Sequence, residues 1–386
     1  MKRNRVNCQK LIQKGSVITF FFAFCIFYSC QENEEIINVG YIGPLTTRAT
    51  DLGIAPAKAI ELAVEEYNNK RSKKEPKIKL FVEDDQWEKN NAMPAYKKLR
   101  KEHQIKVLFI SNTDGTIAIS QQAKEDNVIV VNPCNNDSIL NKLNNNVFKI
   151  AKSTEEAHSV IAHRIIELNL KKVLILHYPN DFMTLGSATC AKILTEHGIE
   201  NTVVSFEKGK TNYIKEFTEY KKEGYDAFVF FGYKEYGFAM KQARDLGITA
   251  KFFGSTVLLQ EDYYENSQGA INGTEFVFFT PESGNYVLAQ EFLNAYKLKY
   301  KETPFSVWPP MQAYDAANLV FNELKSYRKT KDNNIKFDDW LRNRLLNVRY
   351  YEGVCGNISI KNNGASSGIY FLLFKYTSKG KYVNIK

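Results

Sequence analysis

Residues 36–68 read IINVGYIGPLTTRATDLGIAPAKAIELAVEEYN, and this stretch decides the fold. Its first seven residues, 36–42, are rich in β-branched and other apolar side chains, which predicts a buried strand. Pro56 suits the first turn of a helix. The apolar side chains after it recur at helical spacing on one face: Ala57, Ile60, Val64 and Tyr67. The stretch therefore predicts a strand followed by an amphipathic helix, the repeating unit of α/β proteins.

The same alternation continues beyond this first unit. Short apolar runs predict strands at 78–82, 107–110 and 128–131, and the helices between them are expected to end near Leu99 and Glu125. Because repeated βα units cross over with a right-handed sense, they imply a mainly parallel sheet with helices on both faces.

A second series of units follows an extended segment at residues 146–153. Ser153 and Glu156 have the spacing of a capping box, which predicts the start of a new helix. Further apolar runs predict a second sheet of the same kind, with strands at 173–177, 202–206, 227–231 and 251–254.

The C-terminal part of the chain has a different pattern. Its predicted elements are an extended segment at 276–280, helices at 286–300 and 313–325, and strands at 356–360 and 368–376. Asn362-Asn363-Gly364 is a hairpin turn sequence between the last two strands. Trp308-Pro309-Pro310 is interpreted as a turn between lobes.

Two similar sheets with extended passages between them predict an α/β protein of two doubly wound, mainly parallel-sheet lobes joined by a multi-strand hinge. We expect residues 36–151 and 278–336 to form the N-terminal lobe. Residues 152–277 and 337–386 are expected to form the C-terminal lobe. Ligands of open α/β sheets bind outside the carboxyl ends of the strands, so the predicted ligand site is a cleft between the lobes.

The N-terminus predicts export and lipid attachment. Residues 1–29 combine five basic residues with an apolar run at 17–27 that is short for a membrane span, as in a signal peptide. The run ends at Ser29-Cys30, which resembles the site at which bacterial lipoproteins are cleaved and acylated. Cys30 is therefore the expected anchor, and residues 30–35 are the tether. The alternatives are an uncleaved signal anchor and a signal peptide that is followed by a cysteine by chance.

Charge and cysteine content exclude several classes of protein. The signal peptide holds five of the 52 basic residues and none of the 43 acidic residues, so the mature chain would carry a net charge of only +4. That balance does not predict nucleic-acid binding. Beyond the anchor the chain has Cys134, Cys190 and Cys355, an odd number that predicts at least one free thiol.

Several segments, in this order along the chain, resemble one known family. They are 42–46 (IGPLT), 59–68 (AIELAVEEYN), 82–85 (VEDD), 132–133 (NP), 241–247 (KQARDLG), 253–254 (FG) and 351–356 (YEGVCG). The chain is similar here to the leucine/isoleucine/valine-binding family, the type I periplasmic substrate-binding proteins of ABC transporters. The resemblance covers essentially all of the mature chain. It implies a periplasmic or extracellular protein that binds a small polar or amino-acid-like solute for a membrane permease, with no cofactor and no enzymatic activity.

The resemblance places ligand contacts of the first lobe in two loops. The hydroxyl that holds a ligand carboxylate falls on Thr113 or Asp114, at a helix start whose free N–H groups favour an anion. Either residue is alternatively only a helix cap. The next loop has Cys134, Asn135 and Asn136 where the family has a small residue, alanine and threonine. The two asparagines are alternatively turn formers.

The contacts implied for the second lobe depart from the family pattern. Leu185 stands where the family has a cleft aromatic residue, and Tyr233 corresponds to a later tyrosine. The acid that pairs with a ligand ammonium group would follow residues 253–254, where this chain has Thr256. Either Asp114, Glu235 or another acid replaces it, or the ligand is not an α-amino acid; we favour the second interpretation.

Other chemistry finds little support in the sequence. The five histidines are dispersed and predict no metal site, and the chain has no G-x-S-x-G, Walker A or G-x-G-x-x-G motif. Residues 83–85 (EDD) are interpreted as a solvated loop rather than a catalytic pair. A second hypothesis keeps the fold but assigns a ligand-sensing or degenerate lipoprotein that regulates a protein partner in the cell envelope.

Overall fold

The computed structural model describes residues 34–46, 49–255, 258, 261–279, 286–304, 306–327 and 335–385. The predicted signal peptide, Cys30 and Thr256 lie outside these residues. Within them the chain forms two sheets covered by helices and a smaller three-stranded sheet. The prediction of an α/β fold with two mainly parallel lobes is confirmed.

The first sheet has five parallel strands in the order β2-β1-β3-β4-β5. Their bounds are β1 Ile36–Gly43, β2 Lys77–Asp84, β3 Val107–Ile110, β4 Ile129–Asn132 and β5 Val147–Lys149. The helices between them are α1 Ile54–Lys70, α2 Lys89–His103 and α3 Thr113–Glu125. Because helices cover both faces of the sheet, β3 and β4 are buried along their whole length.

The second sheet repeats this order and adds an antiparallel edge. Its order is β15-β14-β10-β9-β8-β6-β7, in which β14 and β15 run antiparallel to their neighbours. The strands are β6 Lys172–His177, β7 Glu200–Ser205, β8 Ala227–Phe231, β9 Lys251–Gly254, β10 Glu275–Phe279, β14 Phe371–Ser378 and β15 Lys381–Asn384. The helices between them are α4 Thr154–Glu167, α5 Asp181–Glu196, α6 Ile214–Glu223, α7 Glu235–Asp245 and α8 Glu261–Ser267. Ser153 caps α4 as predicted, because its hydroxyl accepts a hydrogen bond from the Glu156 N–H at 3.3 Å.

The remaining elements cover the first lobe. They are α9 Val287–Tyr300, α10 Trp308–Leu324, α11 Phe337–Leu346 and the antiparallel strands β11 Tyr351–Gly353, β12 Gly356–Ile360 and β13 Ser366–Ile369. The predicted hairpin turn lies between β12 and β13, and its Gly364 has a φ of +75°. Residues 308–310 are the first turn of α10, so their interpretation as an interlobe turn is wrong. Proline fits there because the first helical N–H groups have no intrahelical partner.

Residues 337–369 contact the first lobe, although we expected them in the second. The side chain of Asn146 donates to Asp338 of α11 at 3.0 Å. β13 joins the same lobe, because the Ser366 hydroxyl donates to the Ala151 carbonyl at 2.8 Å. These contacts favour a boundary near Tyr370, the residue between β13 and β14. Similarly, residues 276–279 belong to β10 in the second sheet and are not a free extended passage.

Among the described residues, no helix combines the length and apolar character needed to cross a lipid bilayer. The described cysteines, Cys134, Cys190 and Cys355, are buried free thiols, which confirms the prediction of at least one free thiol.

Candidate functional site

Each sheet has a point at which the strand order reverses, and these points define the candidate site. In the first sheet the reversal lies between β1 and β3, and in the second between β6 and β8. The helices of neighbouring strands leave on opposite faces there, which opens a crevice at the carboxyl ends of the strands. The residues that follow these four strands are therefore the first candidates for ligand contact.

A buried polar chain forms the base of the site in the first lobe. The hydroxyl of Tyr41 donates to the Gly53 carbonyl at 2.9 Å and lies 2.8 Å from the hydroxyl of Ser111. Ser111 in turn contacts the thiol of Cys134. Burial raises the pKa of Tyr41, and burial raises the pKa of the Cys134 thiol to about 12. Both groups are thus neutral at pH 7 and form part of the protein's interior.

Thr113 and Asn135 lie together above this base. The side-chain amide of Asn135 donates to the Thr113 hydroxyl at 2.8 Å. Asn112, which the sequence analysis did not select, caps α3 by accepting from the Gly115 N–H at 3.1 Å. Thr113 is therefore the first residue of α3 and not its cap. Asp114 is solvent-exposed in the first turn of the same helix.

Asn136 connects the loop after β4 to β13 and to Lys152. Its amide donates to the Ser366 carbonyl of β13 at 2.9 Å, and its backbone N–H donates to the Lys152 carbonyl at 3.0 Å. Asn136 is only 6% exposed. These contacts tie the loop after β4 to two segments at the lobe boundary.

Asp85 is a buried carboxyl group, although residues 83–85 were interpreted as a solvated loop. It has no exposed surface, and burial raises its pKa. One carboxyl oxygen accepts from the Trp87 N–H at 3.0 Å, and the other has no hydrogen-bond partner among the described residues. For Asp84, burial is outweighed by hydrogen bonds from Thr46, Leu45 and Gln86, and its pKa is lowered.

Lys152 connects the two edges of the cleft. Its ammonium group lies 4.0 Å from the ring centroid of Trp308 in α10 and 5.7 Å from that of Phe182 in α5. Lys152 is 5% exposed, and burial lowers its pKa to about 8. It also interacts electrostatically with Cys134 in the first lobe. Since Cys134 and Phe182 follow β4 and β6, the carboxyl ends of both sheets approach the same side chain.

The second lobe contributes a pair of tyrosines. Tyr178 follows β6 and Tyr233 follows β8, and their rings lie 5.0 Å apart at an angle of 89°. Asn180 caps α5 and donates to the Tyr233 hydroxyl at 3.1 Å. Leu185 is partly buried one turn further along α5. Tyr178 was missed in the sequence, although, like Tyr233, it lies within two residues of the end of a strand.

Two polar groups that follow strands of the second sheet have no hydrogen-bond partner in the described part of the chain. They are a carboxylate oxygen of Glu235, the first residue of α7, and the hydroxyl of Ser255, which follows β9. Ser255 is 1% exposed. Thr256, the residue predicted to replace the family's acid, lies outside the described residues.

No cluster of side chains suited to a metal ion occurs among the residues described. His158 is buried between α4 and α5, where its Nδ1 atom lies 2.7 Å from the Thr154 carbonyl. Burial lowers the pKa of His158 to about 4. The ring is therefore neutral at pH 7 and packs against Phe182 and Phe231.

Two α/β lobes with mainly parallel sheets are the architecture of hinged binding proteins, in which a solute is held between two domains. The chain belongs to the periplasmic binding protein family, because the family's sequence model matches residues 36–381. This is a family of extracytoplasmic solute-binding proteins and not of enzymes. The family resemblance predicted from the sequence is confirmed.

Solved structures with the same fold come from several bacteria. A leucine-binding protein LivK from Thermotoga maritima is 19% identical, with a TM-score of 0.73 over 91% of this chain and 98% of that chain. LivJ from Streptococcus pneumoniae, solved in complex with isoleucine, is 22% identical, with a TM-score of 0.72 over 91% of this chain and all of that chain. A solute-binding protein from Rhodopseudomonas palustris BisB5, in complex with 3,4-dihydroxybenzoic acid, is 20% identical, with a TM-score of 0.74 over 91% of this chain and 96% of that chain. No curated protein matches the chain.

Proposed function

We propose that this protein is a solute-binding lipoprotein of the cell envelope that captures a small polar or amino-acid-like ligand and presents it to an ABC-type permease. The observation that carries the proposal is that Lys152 interacts with residues from the strand ends of both sheets. These residues are Phe182, which follows β6, and Cys134, which follows β4. The loops that end at Thr113 and Tyr233 then lie on opposite walls of one cleft.

The first lobe offers groups that suit the polar end of a solute. Thr113 supplies a hydroxyl, and the first N–H groups of α3 have no partner within the helix. A carboxylate is favoured at such a helix start. The structural relatives are consistent with this chemistry, because isoleucine and 3,4-dihydroxybenzoic acid, named in their complexes, both carry a carboxylate.

Capture requires closure of the two lobes. A solute that contacts one lobe alone binds the open and closed states equally, so it does not shift the equilibrium between them. Contacts from Thr113 on one side and Tyr178 or Tyr233 on the other favour the closed state. The closed form would then be the one that a permease recognises.

The anchor is proposed from the sequence. Cys30 would carry the lipid, and residues 31–35 would separate it from β1, which begins at Ile36. Replacing Cys30 by serine should release the protein from the membrane fraction. Protein that stays membrane-bound after this change would refute the lipoprotein assignment.

A panel of purified amino acids, amides, short peptides and aromatic acids tests solute capture through shifts in melting temperature. The Thr113→Ala and Tyr233→Ala variants should each lose the shift that wild type shows. The exposed pair Thr218→Ala and Tyr350→Ala is the matched control and should keep it. A solute that shifts all of these proteins equally would bind elsewhere and contradict the proposal.

The second candidate function is regulation of an envelope protein by the same fold. It is favoured by Leu185, which stands at the family's aromatic cleft position, and by the replacement of the family's acid at Thr256. A degenerate cleft predicts that no member of the panel shifts the melting temperature.

A further inference from the structure

A pocket lies in the first lobe, away from the cleft. It has a volume of about 590 Å³ and is bordered by α1, α9, α10 and β11. Small-molecule sites have volumes of about 300–1,000 Å³. The residues of α1 that line the pocket belong to its last turns, which lead to the amino end of β2, whereas Thr113 follows the carboxyl end of β3. The pocket is therefore displaced toward the end of the lobe opposite the cleft.

Two buried hydrogen-bond donors line this pocket without a partner. Tyr67 is 6% exposed, and its hydroxyl has no hydrogen-bond partner among the described residues. The same is true of Arg71 Nε, although the terminal nitrogens of this guanidinium contact Glu34 and the Glu75 carbonyl. Burial and, after it, the charge of Glu75 raise the pKa of Tyr67, and the charge of Arg71 lowers it, so the hydroxyl lies near both side chains. Two neighbouring buried donors without a partner favour an acceptor supplied by a ligand.

Five aromatic side chains of the described residues also line the pocket. They are Tyr67, Phe292, Tyr314, Phe321 and Tyr351. The ring centroids of Phe292 and Tyr314 lie 4.8 Å apart, and those of Tyr67 and Phe321 lie 5.9 Å apart. Flat apolar faces of this kind pack against the C–H groups of a ligand ring and leave the polar groups at its edge free for hydrogen bonds.

The charge of the lining disfavours an anion. The described residues around the pocket include five acidic and three basic side chains, so their formal charge is negative. The Tyr314 hydroxyl already donates to Glu66 at 2.7 Å. Glu291 and Glu352 are exposed where they line the pocket, and their carboxylates can accept hydrogen bonds from a ligand.

We propose that this pocket is a second binding site, separate from the cleft, and that its ligand is a neutral sugar. A sugar hydroxyl both donates and accepts, so the same kind of group satisfies Tyr67 and Arg71 on one side and the carboxylates on the other. An ammonium group has donors only and would leave Tyr67 and Arg71 Nε without an acceptor. The carbon face of the sugar ring packs against the aromatic side chains. The site goes beyond the proposed function, because it does not need closure of the lobes.

Isothermal titration calorimetry of the full mature protein with glucose, galactose, N-acetylglucosamine and maltose tests the proposal. At least one of these sugars should bind. Tyr67→Phe should weaken that binding by about threefold or more, because it removes one hydrogen bond to the ligand. The melting temperature of Tyr67→Phe should not fall, since the hydroxyl has no partner in the protein. Tyr350→Phe removes an exposed tyrosine hydroxyl and is the matched control, which should bind the sugar as wild type does.

A second set of variants separates this site from the cleft. Tyr351→Leu removes one aromatic face and should also weaken sugar binding, whereas Thr113→Ala should leave it unchanged. A sugar that is lost in Thr113→Ala and kept in Tyr67→Phe is a solute of the cleft, which overturns the second site and supports the proposed function.

Charged probes test the chemistry of the ligand. Putrescine and phosphoethanolamine are titrated in the same way. If one of them binds in a manner sensitive to Tyr67→Phe and no sugar does, the assignment of a neutral sugar is overturned. If Tyr67→Phe alters the binding of no probe, the site itself is overturned, and solute capture in the cleft is unaffected.

Discussion

Replacing Lys152 by methionine tests whether an ammonium group is buried between the two lobes. Burial lowers the pKa of Lys152 from 10.5 to about 8. Because the buried group stays charged at pH 7, this difference lowers the free energy of unfolding by about 3 kcal/mol at that pH. Methionine keeps the apolar stem and carries no charge, so Lys152→Met should stabilise the protein by up to about 3 kcal/mol at pH 7.

The pH dependence is the decisive measurement. Because the folded pKa is the lower one, the unfolded chain binds more protons between pH 8 and 10.5, and the contribution of Lys152 to stability improves as pH rises through that window. Urea denaturation of wild type and Lys152→Met is compared at several pH values from 7 to 10.5. Taking the difference cancels the titration of the tyrosines. Lys208→Met, an exposed control, should show no such trend. A constant difference between wild type and Lys152→Met across the range would refute the burial of this ammonium group.

Two further predictions concern other buried groups. Burial lowers the pKa of His158 from 6.5 to about 4, so the free energy of unfolding should fall by up to about 3 kcal/mol as pH falls from 6.5 to 4. Urea denaturation should show this contribution in wild type and not in His158→Gln. The same pH dependence in both proteins would contradict the prediction. Asp315 accepts from the N–H groups of Val354 and Cys355 at 2.7 and 2.8 Å. Asp315→Ala should therefore lower the free energy of unfolding by about 2 kcal/mol at pH 7. The exposed control Asp245→Ala should lower it by about 0.5 kcal/mol or less. Equal losses in the two variants would argue against the hydrogen bonds to Asp315.

The strands that were best predicted are those with continuous apolar runs. β3 and β8 have the bounds expected from the sequence, because both faces of each strand are covered and every residue is buried; β9 also has the expected bounds, although it begins at the exposed Lys251. The contacts of residues 337–369 with the first lobe were not predicted, for a different reason. They join residues such as Asn146 and Asp338, which lie 192 residues apart and leave no local pattern.

The candidate site was predictable where it follows strand ends and was missed where it depends on burial. The contact of Thr113 with Asn135 follows from neighbouring parallel strands that end at the same edge. Lys152 and Asp85 are charged residues in segments that look solvated by composition. Their burial arises from side chains that are distant in sequence, such as Trp308 and Phe182 for Lys152.

The distance between the lobes, measured with and without solute, tests the central claim most directly. Spin labels at Gln121 of α3 and Ala188 of α5 occupy exposed positions on helices that start at the two cleft edges. Pulsed electron double resonance would then measure the distribution of distances between the two labels, first without solute and then with a saturating amount of the panel member that binds most tightly. The account predicts that solute narrows the distribution and moves it to the shorter, closed distance. An identical distribution in the presence of bound solute would contradict capture by closure of two lobes.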